Sequence, residues 1–202
     1  MKICMIGAGY VGLVSAACFS EFGWQVTCVD KDPKRLEELN AGHSPIYEPG
    51  LDDLLQRNMR AGRLTFTADL AGAVNDAAVI FLAVGTPMRR GDGYADLSHV
   101  FAAVEEIAPH LKGFAVITTK STVPVGTSRE IETRLRQLRP DLDFAICSNP
   151  EFLREGSAIQ DFTHPDRVLV GTDSADAREV LDRLYKPLAL RGSPVMFVSR
   201  ES

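Results

Sequence analysis

The sequence is short of the residues that mark several common classes of protein. Its four cysteines, Cys4, Cys18, Cys28 and Cys147, include no C-x-x-C pair. All but Cys18 stand in apolar, strand-like runs, which reads as reduced core thiols of a cytoplasmic protein rather than redox pairs or metal ligands. The histidines His43, His99, His110 and His164 are scattered and share no ligand spacing with the thiols, so no zinc site is expected. No uninterrupted apolar segment reaches the roughly 18 residues of a membrane span. Lys2 and the apolar stretch up to Ser20 imitate a secretory signal, but Gly7, Gly9 and Gly12 interrupt it. Ser15 also stands three before Cys18, where a lipoprotein signal has a branched aliphatic residue. The N-terminus is therefore read as part of the fold. Basic excess is missing too: the formal net charge is -5, and no Lys/Arg stripe offsets it, which argues against a nucleic-acid partner. The basic runs at 88–90 and 134–139 read as solvated loop and helix faces. Repeats, low-complexity tracts and linkers are absent.

What is present is the composition of an ordinary globular domain, with 202 residues, 45% of them hydrophobic and 24% charged. A chain of this size buries roughly 70% of the surface its unfolded form exposes, so no staple is needed. Short apolar runs at 2–6, 25–29, 64–67, 78–84, 115–119, 144–148, 167–171 and 195–198 read as strands. Between them, 11–22, 33–40, 51–61, 98–111, 127–138 and 175–185 carry helical periodicity. Strands apolar on both faces, such as 78–84, belong in parallel sheets covered on each side. The repeated β-α-β order predicts one doubly wound α/β domain over 1–202, a mostly parallel sheet flanked by helices on both faces. The most loop-like stretch is 86–96, which follows a strand end and reads as a ligand loop, a mobile surface loop, or both.

The first strand runs directly into Gly7-Ala8-Gly9-Tyr10-Val11-Gly12, and helical periodicity follows at once. A lone G-x-G-x-x-G is weak, but this one stands in a complete strand–turn–helix context. Gly7 would make the tight turn, Gly9 would let a pyrophosphate approach the backbone, and Gly12 would let helix and strand pack closely. The helix N-terminus offers free N–H groups and a positive dipole end to phosphate. The second strand ends in Asp30, eighteen residues after Gly12. A carboxylate there accepts from ribose hydroxyls and repels a 2′-phosphate, which selects NAD over NADP. Lys31, Lys34 and Arg35 stand close by and would blunt that preference. The bland alternative is a vestigial glycine turn on the same Rossmann-type fold.

Three further loops leave C-terminal strand ends, the edge where open α/β sheets bind ligands. They are Gly85-Thr86-Pro87, a Ser121-Thr122 loop ending in Thr127, and Asn149-Pro150-Glu151-Phe152-Leu153-Arg154-Glu155-Gly156. Ser121 or Thr127 taken alone reads equally well as a helix cap. Glu151 and Glu155, four apart on a predicted short helix, would share one face, and an exposed acidic pair is the bland reading there.

Together, GAGYVGL at 7–13, PIYEPGLDDLL at 45–55, VGTP at 84–87, STVPVGT at 121–127 and NPEFLREGSAIQDFTHPDRVLVG at 149–171 resemble the UDP-glucose/GDP-mannose dehydrogenases. The resemblance covers essentially the whole chain, in order and in register, and the run 161–171 is more similar to the UDP-glucose members. It implies a four-electron oxidation in which two NAD⁺ successively take hydride from C6 of a sugar nucleotide. A cysteine would hold the intermediate as thiohemiacetal and then thioester, which water hydrolyses. By position, Gly7, Gly9, Tyr10, Val11, Gly12, Asp30, Arg35, Gly85, Thr86, Pro87, Ser121, Thr122 and Glu155 match the cofactor site. Arg35 stands where the family often has Lys. Thr122 and Glu151 match residues that position and activate the hydrolytic water, Glu155 one close to the nicotinamide, and Phe152, Leu153, Arg154 and Glu155 the segment that grips the sugar nucleotide. A carboxylate in a dry, thioester-bearing site is suited to general-base work.

In the family the nucleophilic cysteine lies in a downstream G-G-x-C-type segment, and a central helix carries its lysine and asparagine helpers and the dimer contact. Nothing here matches either. The chain is therefore expected to be the NAD-binding half, inactive alone, of a homodimer that closes a second domain over UDP-glucose. Alternatives are GDP-mannose or a UDP-N-acetyl-hexosamine as substrate, or a non-catalytic nucleotide-sensing module. A general 2-hydroxyacid or 3-hydroxyacyl dehydrogenase leaves STVPVGT and NPEFLREG unexplained.

Overall fold

The computed structural model describes residues 1–89, 91 and 93–200. Eight strands form one sheet: β1 (Lys2–Ile6), β2 (Gln25–Val29), β3 (Leu64–Thr67), β4 (Val79–Leu82), β5 (Ala115–Thr119), β6 (Phe144–Ser148), β7 (Val168–Gly171) and β8 (Val195–Val198). Their spatial order is β3-β2-β1-β4-β5-β6-β7-β8. The first six are parallel; β7 joins β6 antiparallel at Ser148↔Gly171, and β8 runs parallel to β7. The helices are α1 (Tyr10–Glu21), α2 (Pro33–Asn40), α3 (Leu51–Arg60), α4 (Leu70–Asn75), α5 (Ser98–Ile107), α6 (Thr127–Leu138), α7 (Ala158–Thr163) and α8 (Ala175–Ala189). The chain winds outward from β1 in one direction and then from β4 in the other, so a crevice opens between the C-terminal ends of β1 and β4.

Alternation along each strand divides the core in two. Ile3 and Met5 of β1, Phe81 of β4 and Cys147 of β6 point to the side covered by α1, α3, α7 and α8. Cys4 and Ile6, Leu82 and Ile146 point to the side covered by α4, α5 and α6. Helix α1 lies at the centre: every residue from Gly12 to Ser20 is buried, and Phe19 stacks on Phe81 with ring centroids 5.3 Å apart. All four cysteines are buried free thiols, as their apolar surroundings predict. Among the described residues, no helix is long and apolar enough to cross a membrane.

The predicted sheet is present with small boundary changes, and the differences have local causes. Helices α4 and α7 were not predicted, because six residues are too few to display a period. The helix expected over 98–111 ends at Ile107 and tightens into a 3-10 turn at Ala108–His110, where Pro109 lacks a donor N–H. Helix α8 runs past Tyr185 through Pro187, held by Tyr185 and Leu188, which are 2% and 1% exposed. The arginines at 134–139 are not simply solvated. Arg134 and Arg136 lie 4.1 Å from the Phe101 and Phe144 ring centroids, and Arg139 donates to the Ala108 and Leu111 carbonyls. Within 86–96, Met88 is bridged antiparallel to Ala95, and the Asp96 N–H donates to the Pro87 carbonyl at 2.7 Å. Arg90 and Asp92, which fall in that expected loop, lie outside the described residues.

Candidate functional site

Register brings the ligand loops to one rim. Ile6 is level with Val29 and Leu82, Leu82 with Thr119, and Thr119 with Ser148. The loops after β1, β2, β4, β5 and β6 therefore start from a common edge.

The glycines of the first loop do different things. Gly7 has φ +102°, and a Cβ on it would meet the Ala83 carbonyl oxygen at 2.7 Å. A Cβ on Gly12 would lie 1.9 Å from the Gly7 oxygen. Both glycines are required by the fold itself, one by its backbone angle and close approach, the other by close packing. Gly9 is different: its backbone is extended at φ −71°, ψ −172°, and a Cβ there would have no neighbour within 4 Å. The open space lies in front of α1, whose N-terminus has no side-chain cap and no acidic residue in its first turn. The first helical bond of α1 is Leu13 N–H to Gly9 O at 2.8 Å, so the amides of Tyr10, Val11 and Gly12 precede the ladder. A bare helix N-terminus beside an unfilled glycine is a fitting receptacle for a pyrophosphate.

Asp30 stands at the side of this receptacle. Its Oδ2 accepts the Ala8 N–H at 2.8 Å and an Arg35 guanidinium N–H at 3.0 Å, and its Oδ1 accepts the Asp32 N–H at 2.9 Å. Burial alone would raise its pKa; the two backbone donors and Arg35 outweigh it and hold the carboxyl below its ordinary value. The group is thus ionised at neutral pH, with acceptor capacity left on Oδ1. Of the neighbouring cations, Arg35 is engaged with Asp30, while Lys31 is paired with Glu106.

The next two loops are tied together across the rim. Thr86 Oγ1 donates to the Thr122 carbonyl at 3.1 Å, and Ser121 Oγ to the Val84 carbonyl at 2.6 Å. Neither Ser121 nor Thr127 caps a helix: Gly126, with φ +93°, holds the N-cap position of α6, and Thr127 Oγ1 donates back to Pro124 O at 2.7 Å. Gly85, Pro87 and Thr122 are exposed on this rim.

The helix expected for Glu151 and Glu155 is not there. Residues 151–154 have no regular secondary structure and 155–157 form a turn, with α7 starting only at Ala158. Glu151 folds onto its own loop by accepting the Leu153 N–H, and Glu155 is exposed, so the two do not share a helix face. The positive φ of +83° at Gly156 and the capture of the Leu153 and Arg154 amides by Glu151 and Asp161 favour this open course over helix. Phe152 is 61% exposed, while Leu153 packs on the core. Arg154 is pinned by Asp161, which accepts its backbone N–H at 2.9 Å and its guanidinium at 2.7 Å.

Thr122 and Glu151 line adjoining cavities, of about 120 Å³ and about 50 Å³, that share Pro150. The smaller cavity holds what sequence reasoning missed. Lys120, 3% exposed, donates to Asn149 Oδ1 at 3.1 Å, with Phe81 and Phe162 ring centroids at 5.8 and 5.5 Å from its ammonium. Tyr185 donates to the same Asn149 oxygen. Burial pushes the Lys120 pKa down to about 8, with the Glu151 carboxylate pulling the other way. A lysine closing an otherwise apolar strand was the available signal. Glu48 was also missed: it is 7% exposed and accepts from the Tyr10 hydroxyl and from the amides of Gly156 and Ile159. Its place inside PIYEPGLDDLL gives no hint that it is buried.

A 3-2-1-4-5-6 parallel core with a glycine turn at its switch point and a carboxylate ending the second strand defines a dinucleotide-binding Rossmann domain. Residues 1–189 match the UDP-glucose/GDP-mannose dehydrogenase family, NAD binding domain, and the chain belongs to that family. It is 56% identical to a UDP-glucose 6-dehydrogenase of Rhizobium meliloti, over 100% of this chain and 47% of that protein. Among solved structures, it superposes on a GDP-mannose dehydrogenase from Pseudomonas aeruginosa with TM-score 0.94 at 34% identity, covering 100% of this chain and 47% of that one. A UDP-glucose dehydrogenase from Pyrobaculum islandicum gives TM-score 0.92 at 36% identity, with 99% and 46% covered. The chain spans about half the length of the relatives it matches. NAD is the cofactor of the matched domain.

Proposed function

We propose that this chain supplies the cofactor half of an NAD-dependent UDP-glucose 6-dehydrogenase, which converts UDP-glucose to UDP-glucuronate by two successive hydride transfers from C6. The observation that carries the reading is the open space at Gly9, set between the bare N-terminus of α1 and the ionised Asp30. The sugar is assigned from similarity: relatives named UDP-glucose 6-dehydrogenase are 56%, 48% and 45% identical along nearly the whole chain.

In this reading Gly7, Gly9, Tyr10, Val11 and Gly12 form the pyrophosphate turn through their backbone, and Asp30 accepts from the adenosine ribose while Arg35 keeps it oriented. Gly85, Thr86, Pro87, Ser121, Thr122 and Glu155 frame the nicotinamide side. NAD⁺, when bound, supplies the hydride acceptor. Glu151 and Thr122 hold and activate the hydrolytic water, and the backbone of Phe152, Leu153, Arg154 and Glu155 grips the sugar nucleotide. Burial pushes all four thiols above the ordinary cysteine range, Cys147 to about 11, so none of them is poised as the nucleophile. Turnover by these residues alone is not expected, and the whole enzyme is proposed to be a cytoplasmic homodimer.

Calorimetric titration of the 202-residue protein with NADH and NADPH in parallel tests the cofactor site. NADH is expected to bind at least about tenfold more tightly, a difference of about 1.4 kcal/mol. Equal or tighter binding of NADPH would sink the role given to Asp30, and binding of neither would sink the site.

A further inference from the structure

Tyr10 opens α1, adjacent to the Gly9 space, yet its hydroxyl is committed elsewhere. It donates to Glu48 Oε2 at 2.5 Å, lies 3.2 Å from the Arg154 carbonyl, and accepts the Gly156 N–H at 3.1 Å. Glu48 itself accepts the Gly156 N–H at 2.9 Å and the Ile159 N–H at 3.3 Å. The carboxylate is buried, and among the described residues no Lys, Arg or His pairs with it. A buried carboxylate without a counter-ion is costly and holds its place only by such donors. Those donors come from two different places, the helix that receives the dinucleotide and the turn and first residues of α7 that directly follow the segment assigned to the sugar nucleotide. Burial, reinforced by Glu48, raises the Tyr10 pKa to about 12, so the hydroxyl stays protonated as a donor.

We propose that Glu48 is a positioning residue that, through Tyr10, couples dinucleotide binding at α1 to the ordering of residues 154–159. This deepens the function proposed above and rests on it. Fixing the N-terminus of α1 with a dinucleotide fixes the Tyr10 ring, which shares Glu48 with the Gly156 amide. The sugar-nucleotide segment is then already ordered when its ligand arrives, and the two ligands bind with positive cooperativity.

The test is amide hydrogen exchange of the whole chain, with and without saturating NADH, in the wild type and in Glu48→Gln and Tyr10→Phe variants. NADH is expected to slow exchange at Gly156 and Ile159 by about fivefold in the wild type, near the low end of couplings between two sites. In both variants exchange at these amides is faster, and the NADH-dependent ratio collapses toward one. A merely structural role for Glu48 would speed exchange equally with and without NADH and leave the ratio unchanged, which would overturn the proposal. So would NADH binding to the wild type without protection of 154–159. Failure of NADH to bind the wild type would overturn the cofactor site first, and the coupling with it; the titration heats separate the two.

Discussion

Gly9 and Gly12 stand three residues apart in one turn, and alanine at each is expected to fail in a different way. Gly9→Ala places a methyl in open space at an allowed backbone angle. Stability should change by no more than about 1 kcal/mol, the scale of an N-cap substitution. NADH affinity should fall by about tenfold or more, or about 1.4 kcal/mol, because the methyl occupies the pyrophosphate path. Gly12→Ala drives its methyl to within 1.9 Å of the Gly7 oxygen, and a loss of about 3 kcal/mol is expected from overpacking a backbone contact. Urea denaturation and calorimetry on the two variants check both; equal NADH affinity in Gly9→Ala and wild type would remove the case for that space. The sequence pattern already assigned Gly7 and Gly12 to the fold and Gly9 to a ligand, but by the spacing of a motif alone. The structure adds the contacts that would exclude a methyl at the first two and the open space at the third.

At the scale of the element, α2 links a cap to the cofactor site. Asp32 accepts the N–H groups of Lys34 and Arg35 at its N-terminus, and Pro33 pre-sets the first turn. The same turn carries the Arg35 guanidinium to Asp30. Asp32→Ala is expected to cost about 1 kcal/mol of stability. It should also weaken NADH binding several-fold less than Asp30→Ala, since Arg35 loses its platform while the carboxylate stays. Chemical denaturation and titration of both variants check the order; a stronger effect from Asp32→Ala would reverse it. Long elements such as α1, α6 and the central strands were legible because burial imposes a period over many residues. The segment after β6 was not, because the left-handed Gly156 and the capture of local amides by Glu151 and Asp161 overrode the four-residue spacing of its glutamates.

The whole molecule should be sensitive to alkali. Burial raises the pKa of Cys4 and Cys18 to about 12 and Cys147 to about 11, with Cys28 raised further still. Above the ordinary thiol value of 9.0 the unfolded chain releases these protons while the native state keeps them, so stability falls as pH rises. Lys120 works in the opposite sense: its folded pKa of about 8 lies below 10.5, so the native state binds fewer protons and gains stability across that window. Four thiols against one lysine decide the direction. The melting temperature is expected to hold between pH 7 and 8 and to decline from pH 9 upward; a rise through pH 9–10 would mean the thiols are not buried as protonated groups.

The sequence by itself determined the class of fold, the position of the dinucleotide turn, the carboxylate that follows it and the family. Each rests on local pattern: apolar periods, glycine spacing, a charge at a strand end. What only the tertiary structure decided lies in groups that meet across long separations. Glu48 reaches Tyr10 and Gly156 from 38 and 108 residues away, and Lys120 finds Asn149 29 residues on. A charged residue is exposed by default, so its burial, and the partners that make burial tolerable, become visible only when the packed sheet brings distant loops to one rim.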